Sequence, residues 1–162
     1  MLHRVKGNLI DMAEQGQFNI IVHGCNCQNT MGSGIAKELR ARYPGVYEAD
    51  TLAGKTWQTP VAKLGNFSTY ATVGKQGNPF IIINAYTQLH YLPRGVDHFE
   101  YESFCVILRK LEYMVKDGVS IGFPYIGMGL AGGNSAVILD ILEMFAYNVT
   151  QKGGKATLVE FV

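Results

Sequence analysis

Residues 19–36, NIIVHGCNCQNTMGSGIA, contain a short apolar run, a polar turn and the start of a second apolar pattern. Three β-branched residues in a row predict a buried strand over residues 19–23. The small and polar residues 24–34 predict a loop, because glycine and short polar side chains favour turns. Over residues 35–43 apolar side chains recur at helical spacing. This stretch therefore predicts a strand, a loop and a helix in succession.

The rest of the chain repeats this alternation. Strands are predicted over residues 2–6, 64–73, 80–86, 119–126 and 156–161, of which 64–73 is exposed and 80–86 central. Helices are predicted over residues 35–43, from Pro44 onward, from about residue 99 to a C-cap at Gly118, and after an N-cap at Asn134 or Ser135. Pro124 falls inside a predicted strand and must occupy a position where no backbone donor is needed.

Strands that alternate with helices predict a layered α/β domain with a largely parallel sheet. The 162 residues fit a single domain over residues 1–162, and no repeat or low-complexity segment marks a boundary. Ligand sites in such sheets gather at the carboxyl ends of the strands. Two loops, residues 24–34 and 127–133, are predicted to follow a strand and to precede a helix. Their placement is the first indication of a site.

Composition and charge disfavour several classes of protein. The net charge of +1 offers no broad positive surface, so we expect no specific nucleic-acid binding. The longest apolar run, residues 80–83, is too short to span a bilayer, so we expect no membrane role. Cys25, Cys27 and Cys105 form an odd and sparse set, which predicts reduced thiols and a cytoplasmic protein. A small anionic ligand is compatible with this composition, because backbone N–H groups bind phosphate without surplus basic side chains.

The loop at residues 127–133 contains GMGLAG, which matches the dinucleotide-binding pattern G-x-G-x-x-G. Glycines let backbone N–H groups approach a pyrophosphate, and the following helix presents its positive end. We do not predict a Rossmann fold, because that pattern belongs to the first strand–helix turn of a longer βαβαβ unit. Only one helix and one strand follow here, and Glu160 lies further along than the usual ~20 residues. The loop therefore predicts phosphate binding within another fold.

The first loop offers Asn26, Gln28, Asn29 and Thr30, followed by the glycines of residues 32–34. Amide side chains donate and accept hydrogen bonds, which suits the hydroxyls of a ribose. The glycines again allow close approach of the backbone. Two such loops at the carboxyl ends of strands predict that both contribute to one ligand site.

Five stretches in order along the chain resemble the motifs of macrodomains, namely KGNLI (6–10), IVHGCNC (21–27), MGSGIA (31–36), ARYP (41–44) and YIGMGLAGG (125–133). The likeness is greatest to the yeast-type ADP-ribose 1″-phosphate phosphatases and their phage and bacterial relatives. It covers essentially the whole chain, with the middle third weakest. The resemblance implies a three-layer fold in which a mixed, mostly parallel central sheet is flanked by helices. It also implies ADP-ribose or an ADP-ribose derivative as the ligand.

The resemblance places this ligand against three stretches of the chain. Residues 7–9 would flank the adenine, with Asn8 where many macrodomains have an aspartate that holds the adenine amino group. Asn26 and residues 31–36 would face the distal ribose and its phosphate, and residues 127–133 would surround the diphosphate. The implied ligand-binding residues are Gly7, Asn8, Leu9, Cys25, Met31, Gly32, Ser33, Gly34, Ile35, Ala36, Gly127, Met128, Gly129, Leu130, Ala131, Gly132 and Gly133.

The resemblance also implies hydrolysis of ADP-ribose 1″-phosphate to ADP-ribose and phosphate. His23 is the first candidate for orienting water or protonating the leaving oxygen, because an imidazole can exchange a proton near neutral pH. Asn26 would hold the ribose or the water, and His90 is the second histidine candidate. A metal site of His23, Cys25 and Cys27 is not predicted, because no distant second pair of ligands accompanies them. We expect neither a metal nor another cofactor.

Two other functions stay open. A related branch of macrodomains removes ADP-ribose from acidic side chains of proteins, using an attacking lysine and an aspartate after the leucine of the glycine loop. Ala131 directly follows Leu130 here, so that aspartate is missing and this hydrolase mechanism ranks second, with an ADP-ribosylated protein as its partner. The third function is a binding module without turnover, which would bind ADP-ribose and release no phosphate.

Overall fold

The computed structural model describes residues 1–129 and 131–162. Within these ranges six strands form one sheet in the order β1-β6-β5-β2-β4-β3. The strands are β1 (His3–Gly7), β2 (Ile20–Asn26), β3 (Phe67–Val73), β4 (Pro79–Gln88), β5 (Ser120–Phe123) and β6 (Lys155–Phe161). The helices are α1 (Leu9–Glu14), α2 (Gly34–Arg42), α3 (Pro44–Trp57), α4 (Pro60–Lys63), α5 (Tyr101–Glu112) and α6 (Ser135–Gln151). Only β3 runs antiparallel to its neighbour, so the described sheet is mixed and mostly parallel, as predicted.

An apolar layer covers each face of the sheet. Side chains alternate along β2, so Ile20 and Val22 pack in the layer of α5 and α6, whereas Ile21 packs in the layer of α1, α2 and α3. On the neighbouring strand β4, Ile83 joins the first layer and Ile82 joins the second. Helices on both faces of one sheet confirm the predicted three-layer α/β architecture.

Local sequence determines where several helices begin. Asn8 caps α1, because its Oδ1 accepts a hydrogen bond of 3.0 Å from the backbone N–H of Asp11. Thr59 and Asn134 cap α4 and α6 in the same way. Pro44 occupies the first position of α3, where its missing N–H costs no hydrogen bond. None of the helices in the described ranges is long and apolar enough to cross a bilayer.

The carboxyl ends of β5, β2 and β4 meet at the centre of one sheet edge. These strands are neighbours and point in the same direction. They lead into the β5–α6 loop (residues 124–134), the β2–α2 loop (27–33) and the β4–α5 segment (89–100). Because neighbouring strands lie ~4.8 Å apart, the three connections lie side by side. The two predicted loops are therefore adjacent, and the β4–α5 segment lies beside them on the same side of the sheet.

The structure corrects several local predictions. β2 continues to Asn26, three residues into the predicted loop 24–34. β5 ends at Phe123, so Pro124 follows the strand instead of lying inside it, as the missing proline N–H requires. α5 ends at Glu112, well before Gly118, which turns the chain at φ +83° just ahead of β5. α1 was not predicted from the sequence, because six residues are too few to show helical periodicity. β3 begins only at Phe67, because the residues before it belong to α4 and its turn.

Candidate functional site

A cleft of about 550 Å³ opens where the three connections meet. It is lined by three stretches of chain, which lie within residues 24–36, 87–94 and 124–131. The described lining residues are Gly24, Cys25, Asn26, Thr30, Gly32, Ser33, Gly34, Ile35, Ala36, Thr87, Gln88, Tyr91, Arg94, Pro124, Tyr125, Ile126, Gly127, Gly129 and Ala131. The cleft therefore lies at the carboxyl ends of the strands, where the sequence predicts a ligand.

The cleft brings together about half of the residues that the sequence singles out. Those that line it are Cys25, Asn26, Gly32, Ser33, Gly34, Ile35, Ala36, Gly127, Gly129 and Ala131. Those that the structure places elsewhere are Gly7, Asn8, Leu9, His23, Met31, His90, Met128, Gly132 and Gly133. Leu130 lies outside the described residues. Contact between a ligand and any of these residues stays a prediction.

The third wall of the cleft contains residues that were not predicted from the sequence. Thr87, Gln88, Tyr91 and Arg94 come from the end of β4 and from the segment after it. Thr87 is 1% exposed, and its Oγ1 has no hydrogen-bond partner among the described residues. The predicted strand over residues 80–86 could have indicated this wall, because parallel neighbouring strands end on the same side of the sheet. That inference requires knowing that β4 is the neighbour of β2, which the sequence does not show.

The cleft carries little charge. Arg94 is the only charged side chain among its described lining residues. Its guanidinium offers up to five N–H donors in a planar fork that matches phosphate oxygens. The cleft is therefore suited to an anionic ligand.

Asn26 organises the β2–α2 loop. Its Oδ1 accepts a hydrogen bond of 2.8 Å from the backbone N–H of Gln28, and its Nδ2 donates to Oγ1 of Thr30 over 2.9 Å. These two bonds close a tight turn over residues 26–30. Asn26 and Thr30 both line the cleft, so the turn presents polar atoms beside the ligand space.

The N-terminus of α2 forms part of the same wall. Ser33 occupies the N-cap position, and among the described residues its hydroxyl makes no capping hydrogen bond. The first backbone N–H groups of a helix have no acceptor within the helix. Gly34, Ile35 and Ala36 all line the cleft, so these donors and the positive end of α2 lie beside the ligand space.

The β5–α6 loop needs its glycines. Gly127 has φ +74°, and a Cβ atom there would overlap Cδ1 of Phe99. Gly132 has φ +70°, and a Cβ atom there would lie 2.8 Å from the carbonyl oxygen of Val96. The backbone N–H of His98 also donates to the carbonyl oxygen of Ala131 over 2.8 Å. The β5–α6 loop is therefore packed directly against the β4–α5 segment that carries Arg94.

His23 lies beneath the cleft and does not line it. It is 1% exposed, and its Nε2 lies 2.6 Å from Oδ1 of Asn84, its register partner on β4. The Nδ2 of Asn84 donates to the carbonyl oxygen of Val46, which can only accept. The Oδ1 of Asn84 is therefore an acceptor, and Nε2 of His23 carries the proton that it donates. His23 is thus held as the neutral Nε2–H tautomer.

Burial keeps this imidazole uncharged. Loss of solvation lowers the pKa of His23 to about 4, although the hydrogen bond to Asn84 and the charge of Asp50 act in the opposite direction. Burial also raises the pKa of the Cys25 thiol well above its usual value and that of Cys27 to about 12. Both thiols therefore stay protonated at neutral pH, where they are poor nucleophiles and poor metal ligands.

His23 should make the stability of the protein depend on pH. The unfolded chain binds a proton on this ring below the ordinary histidine pKa of 6.5, whereas the folded protein does so only near pH 4. Stability is therefore lost as the pH falls from 6.5 towards 4. We expect the free energy of unfolding to fall by about 2 kcal/mol between about pH 7.5 and about pH 5 from this residue.

Urea denaturation at the two pH values measures this effect. The control is His23→Gln, whose side chain cannot take up a proton in this range. The variant is less stable at both pH values, but its change with pH should be smaller by about 2 kcal/mol. Equal changes in both proteins would show that His23 is not held neutral by the fold.

Asn8 and His90 lie at the margins of the site. Asn8 follows β1, two strands from β5, and its Oδ1 already caps α1. His90 is exposed between Gln88 and Tyr91, which both line the cleft, and its Nδ1 lies 3.3 Å from Nε2 of Gln28. The two residues are therefore at the same sheet edge as the cleft but not in its lining.

Comparison with known proteins agrees with this architecture. No protein-family model matches the chain. It is 32% identical over 145 residues to a 17.5 kDa protein from the tk-vs intergenic region of Enterobacteria phage T4, and the alignment covers 88% of each protein. Among solved structures, the macrodomain of Mycobacterium tuberculosis DarG matches with a TM-score of 0.71 and 21% identity, over 99% of this chain and 97% of that one. The chain has the macrodomain fold.

Two further comparisons concern the ligand of related proteins. This chain is 37% identical over 49 residues to an ADP-ribose 1″-phosphate phosphatase of Scheffersomyces stipitis, and the alignment covers 29% of this chain and 28% of the phosphatase. The structure of Thermosipho africanus DarTG in complex with ADP-ribose matches with a TM-score of 0.71 and 15% identity, over 98% of this chain and 41% of that chain. The resemblance predicted from the sequence motifs is confirmed at the level of the fold.

Proposed function

We propose that this macrodomain binds ADP-ribose and hydrolyses ADP-ribose 1″-phosphate to ADP-ribose and phosphate. The observation that carries the proposal is the cleft between the β2–α2 and β5–α6 loops, where glycines line both sides. Glycines and helix N-termini bind linked phosphates through backbone N–H groups. The ADP-ribose in the DarTG complex and the phosphatase named in Scheffersomyces stipitis support the same class of ligand.

The position of Arg94 in the cleft favours a ligand that carries one phosphate in addition to the diphosphate of ADP-ribose. Arg94 is the only charged residue in the described lining, so it has no acidic competitor there. A guanidinium binds a phosphate dianion through charge-assisted hydrogen bonds, and it stabilises charge that develops during phosphate transfer. The diphosphate of ADP-ribose can be held by the glycine loops, which leaves Arg94 for the phosphate on the distal ribose.

In the proposed reaction the oxygen of a water molecule attacks the phosphorus of the 1″-phosphate. The bond between phosphorus and the ribose oxygen breaks, the water loses a proton, and the leaving oxygen gains one. Such a reaction depends mainly on positioning and on stabilisation of charge. Asn26 and the first-turn N–H groups of α2 would orient the ribose and the water, because they line the cleft.

The two histidines take different roles in this proposal. His23 is buried and neutral, so its contribution is indirect: it holds the end of β2 beneath Cys25 and Asn26. His90 is exposed at the edge of the cleft, next to two lining residues, and is the candidate for proton transfer to the leaving oxygen.

Calorimetric titration with ADP-ribose tests the part that every version of the proposal requires. We expect saturable binding, followed by release of inorganic phosphate when ADP-ribose 1″-phosphate is supplied. Binding without phosphate release would show that the protein is a binding module without turnover. Release of ADP-ribose from an automodified protein would favour the protein hydrolase. Absence of binding to the folded protein would overturn the proposal.

Arg94→Gln separates recognition of the additional phosphate from recognition of ADP-ribose. We expect affinity for ADP-ribose 1″-phosphate to fall about 3- to 10-fold, because an exposed guanidinium contributes about 1 kcal/mol to a phosphate contact. Affinity for ADP-ribose should change much less. Arg109→Gln, an exposed change on α5 outside the cleft, is the control. Equal losses for the two ligands would contradict the role given to Arg94.

A further inference from the structure

A lysine lies in the interior beside the β2–α2 loop. Lys63, the last residue of α4, is 1% exposed, and its Nζ lies 2.6 Å from Oδ1 of Asp50 on α3, which is fully buried. The Oδ1 of Asp50 also accepts a hydrogen bond of 2.9 Å from the hydroxyl of Tyr86. Burial of an ion pair costs so much solvation that an apolar pair of similar size is often as stable. Stability alone therefore does not explain why a lysine occupies this position.

The third hydrogen bond of Lys63 connects it to the β2–α2 loop. Its ammonium group has three hydrogens, and its third acceptor, after Oδ1 and the carbonyl oxygen of Asp50, is Oδ1 of Asn29 at 2.5 Å. Asn29 belongs to the β2–α2 loop but does not itself line the cleft. Lys63 thus connects the interior of the protein to the far side of the loop that faces the ligand space.

The side chain of Asn29 packs against the backbone of Gly54 on α3. A Cβ atom on Gly54 would lie 2.5 Å from Oδ1 of Asn29 and 2.6 Å from its Nδ2, so only glycine leaves room for this side chain. Asn29 also has φ +58°, in the left-handed region that asparagine tolerates better than most residues. Tyr47 adds a hydrogen bond from its hydroxyl to the carbonyl oxygen of Asn29 over 3.4 Å. Asn29 is therefore held from α3 and from α4 at once.

Asn29 lies between the two residues that bind the Asn26 side chain. Gln28 donates its backbone N–H to Oδ1 of Asn26, and Thr30 accepts from Nδ2 of Asn26. A displacement of Asn29 must move one or both of these neighbours, because they are joined to it by peptide bonds. The orientation of the Asn26 amide in the cleft therefore depends on where Asn29 is held.

We propose that Lys63 and Asn29 are positioning residues, which set the orientation of Asn26 and the shape of the β2–α2 loop for the ligand. This inference rests on the proposed function, in which Asn26 contacts the distal ribose or the attacking water. Neither residue touches the ligand, and their effect is transmitted through Gln28 and Thr30.

Three variants test this inference. Asn29→Gly keeps the left-handed backbone and removes the acceptor for Lys63, while Gly54→Ala displaces the Asn29 side chain and leaves every cleft residue unchanged. Each variant loses the hydrogen bond to a charged group that holds the loop in place, so the ligand must then order the loop when it binds. We expect both variants to bind ADP-ribose about 10-fold more weakly. Asn29→Asp retains an acceptor for Lys63 and should restore affinity to within about 3-fold of the wild type. Thr56→Ala, an exposed change on α3, is the control.

Hydrogen exchange of the ligand-free protein distinguishes failure of this inference from failure of the proposed function. Asn29→Gly and Gly54→Ala should increase exchange over residues 26–31, and Asn29→Asp should not. Folded Asn29→Gly protein with wild-type exchange and wild-type affinity would overturn the positioning role. If the wild type does not bind ADP-ribose, the proposed function is overturned, and the exchange rates alone then decide whether Lys63 and Asn29 hold the loop.

Discussion

Lys63→Met is expected to lower the free energy of unfolding by about 3–5 kcal/mol. The substitution leaves the carboxylate of Asp50 buried without its cation, and Oδ2 of Asp50 already has no partner among the described residues. The side chain of methionine is nearly as long as that of lysine. The decrease in the free energy of unfolding should therefore come mainly from the missing charge and not from a cavity. Urea denaturation of the wild type and the variant at neutral pH measures the difference.

A second lysine provides a matched control. Lys75 contacts Glu14 over 3.6 Å, but its side chain is 86% exposed. Lys75→Met should therefore change stability by less than about 0.5 kcal/mol. The double variant Lys63→Met/Asp50→Leu removes both buried charges and should recover a substantial part of the loss. A loss for Lys63→Met as small as that for Lys75→Met would show that the buried ion pair does not form.

Gly127→Ala should damage both stability and ligand binding. Alanine at φ +74° is strained, and its Cβ atom would overlap the ring of Phe99. Left-handed strain and overpacking together should cost about 2–5 kcal/mol. Because Gly127 lines the cleft, the displaced loop should also bind ADP-ribose at least about 10-fold more weakly, the equivalent of about 1.4 kcal/mol.

Gly129→Ala separates the requirement for glycine from the effect of adding a methyl group to the loop. Gly129 belongs to the same loop, but it does not have a left-handed φ, and a Cβ atom there would meet no atom of the described residues within 4 Å. Its change in stability should stay within about 0.5 kcal/mol, and thermal or urea denaturation compares the two variants directly. Equal stabilities of the two alanine variants would contradict the close packing of Gly127 against Phe99.

Local patterns in the sequence predicted most elements of the fold. The apolar run of β2 and the glycines of residues 127–133 report burial and turn geometry through a few neighbouring residues, so they can be recognised without the rest of the chain. The layered α/β class and the pairing of two loops at strand ends follow from such patterns. Errors arose where the local signal was short, as in α1, or ambiguous, as in the residues between α5 and β5.

The chemistry of the site depended on contacts between distant parts of the chain. The sequence placed His23 at the end of a strand, whereas β2 continues to Asn26 and leaves His23 in its interior. The burial and the tautomer of His23 depend on Asn84, which lies 61 residues away. Arg94 reaches the cleft only because β4 is the neighbour of β2 in the sheet.

Amino-acid order alone predicted the macrodomain fold, its layered architecture and the two loops, because strand burial, turn geometry and glycine requirements are local properties. Tertiary structure alone decided which side chains enter the cleft and which lie beneath it. Lysine is among the residues most often exposed, and nothing near Lys63 in the sequence marks it as buried. Its burial comes from the packing of α3, α4, β4 and the β2–α2 loop, which brings Asp50, Tyr86 and Asn29 to one ammonium group.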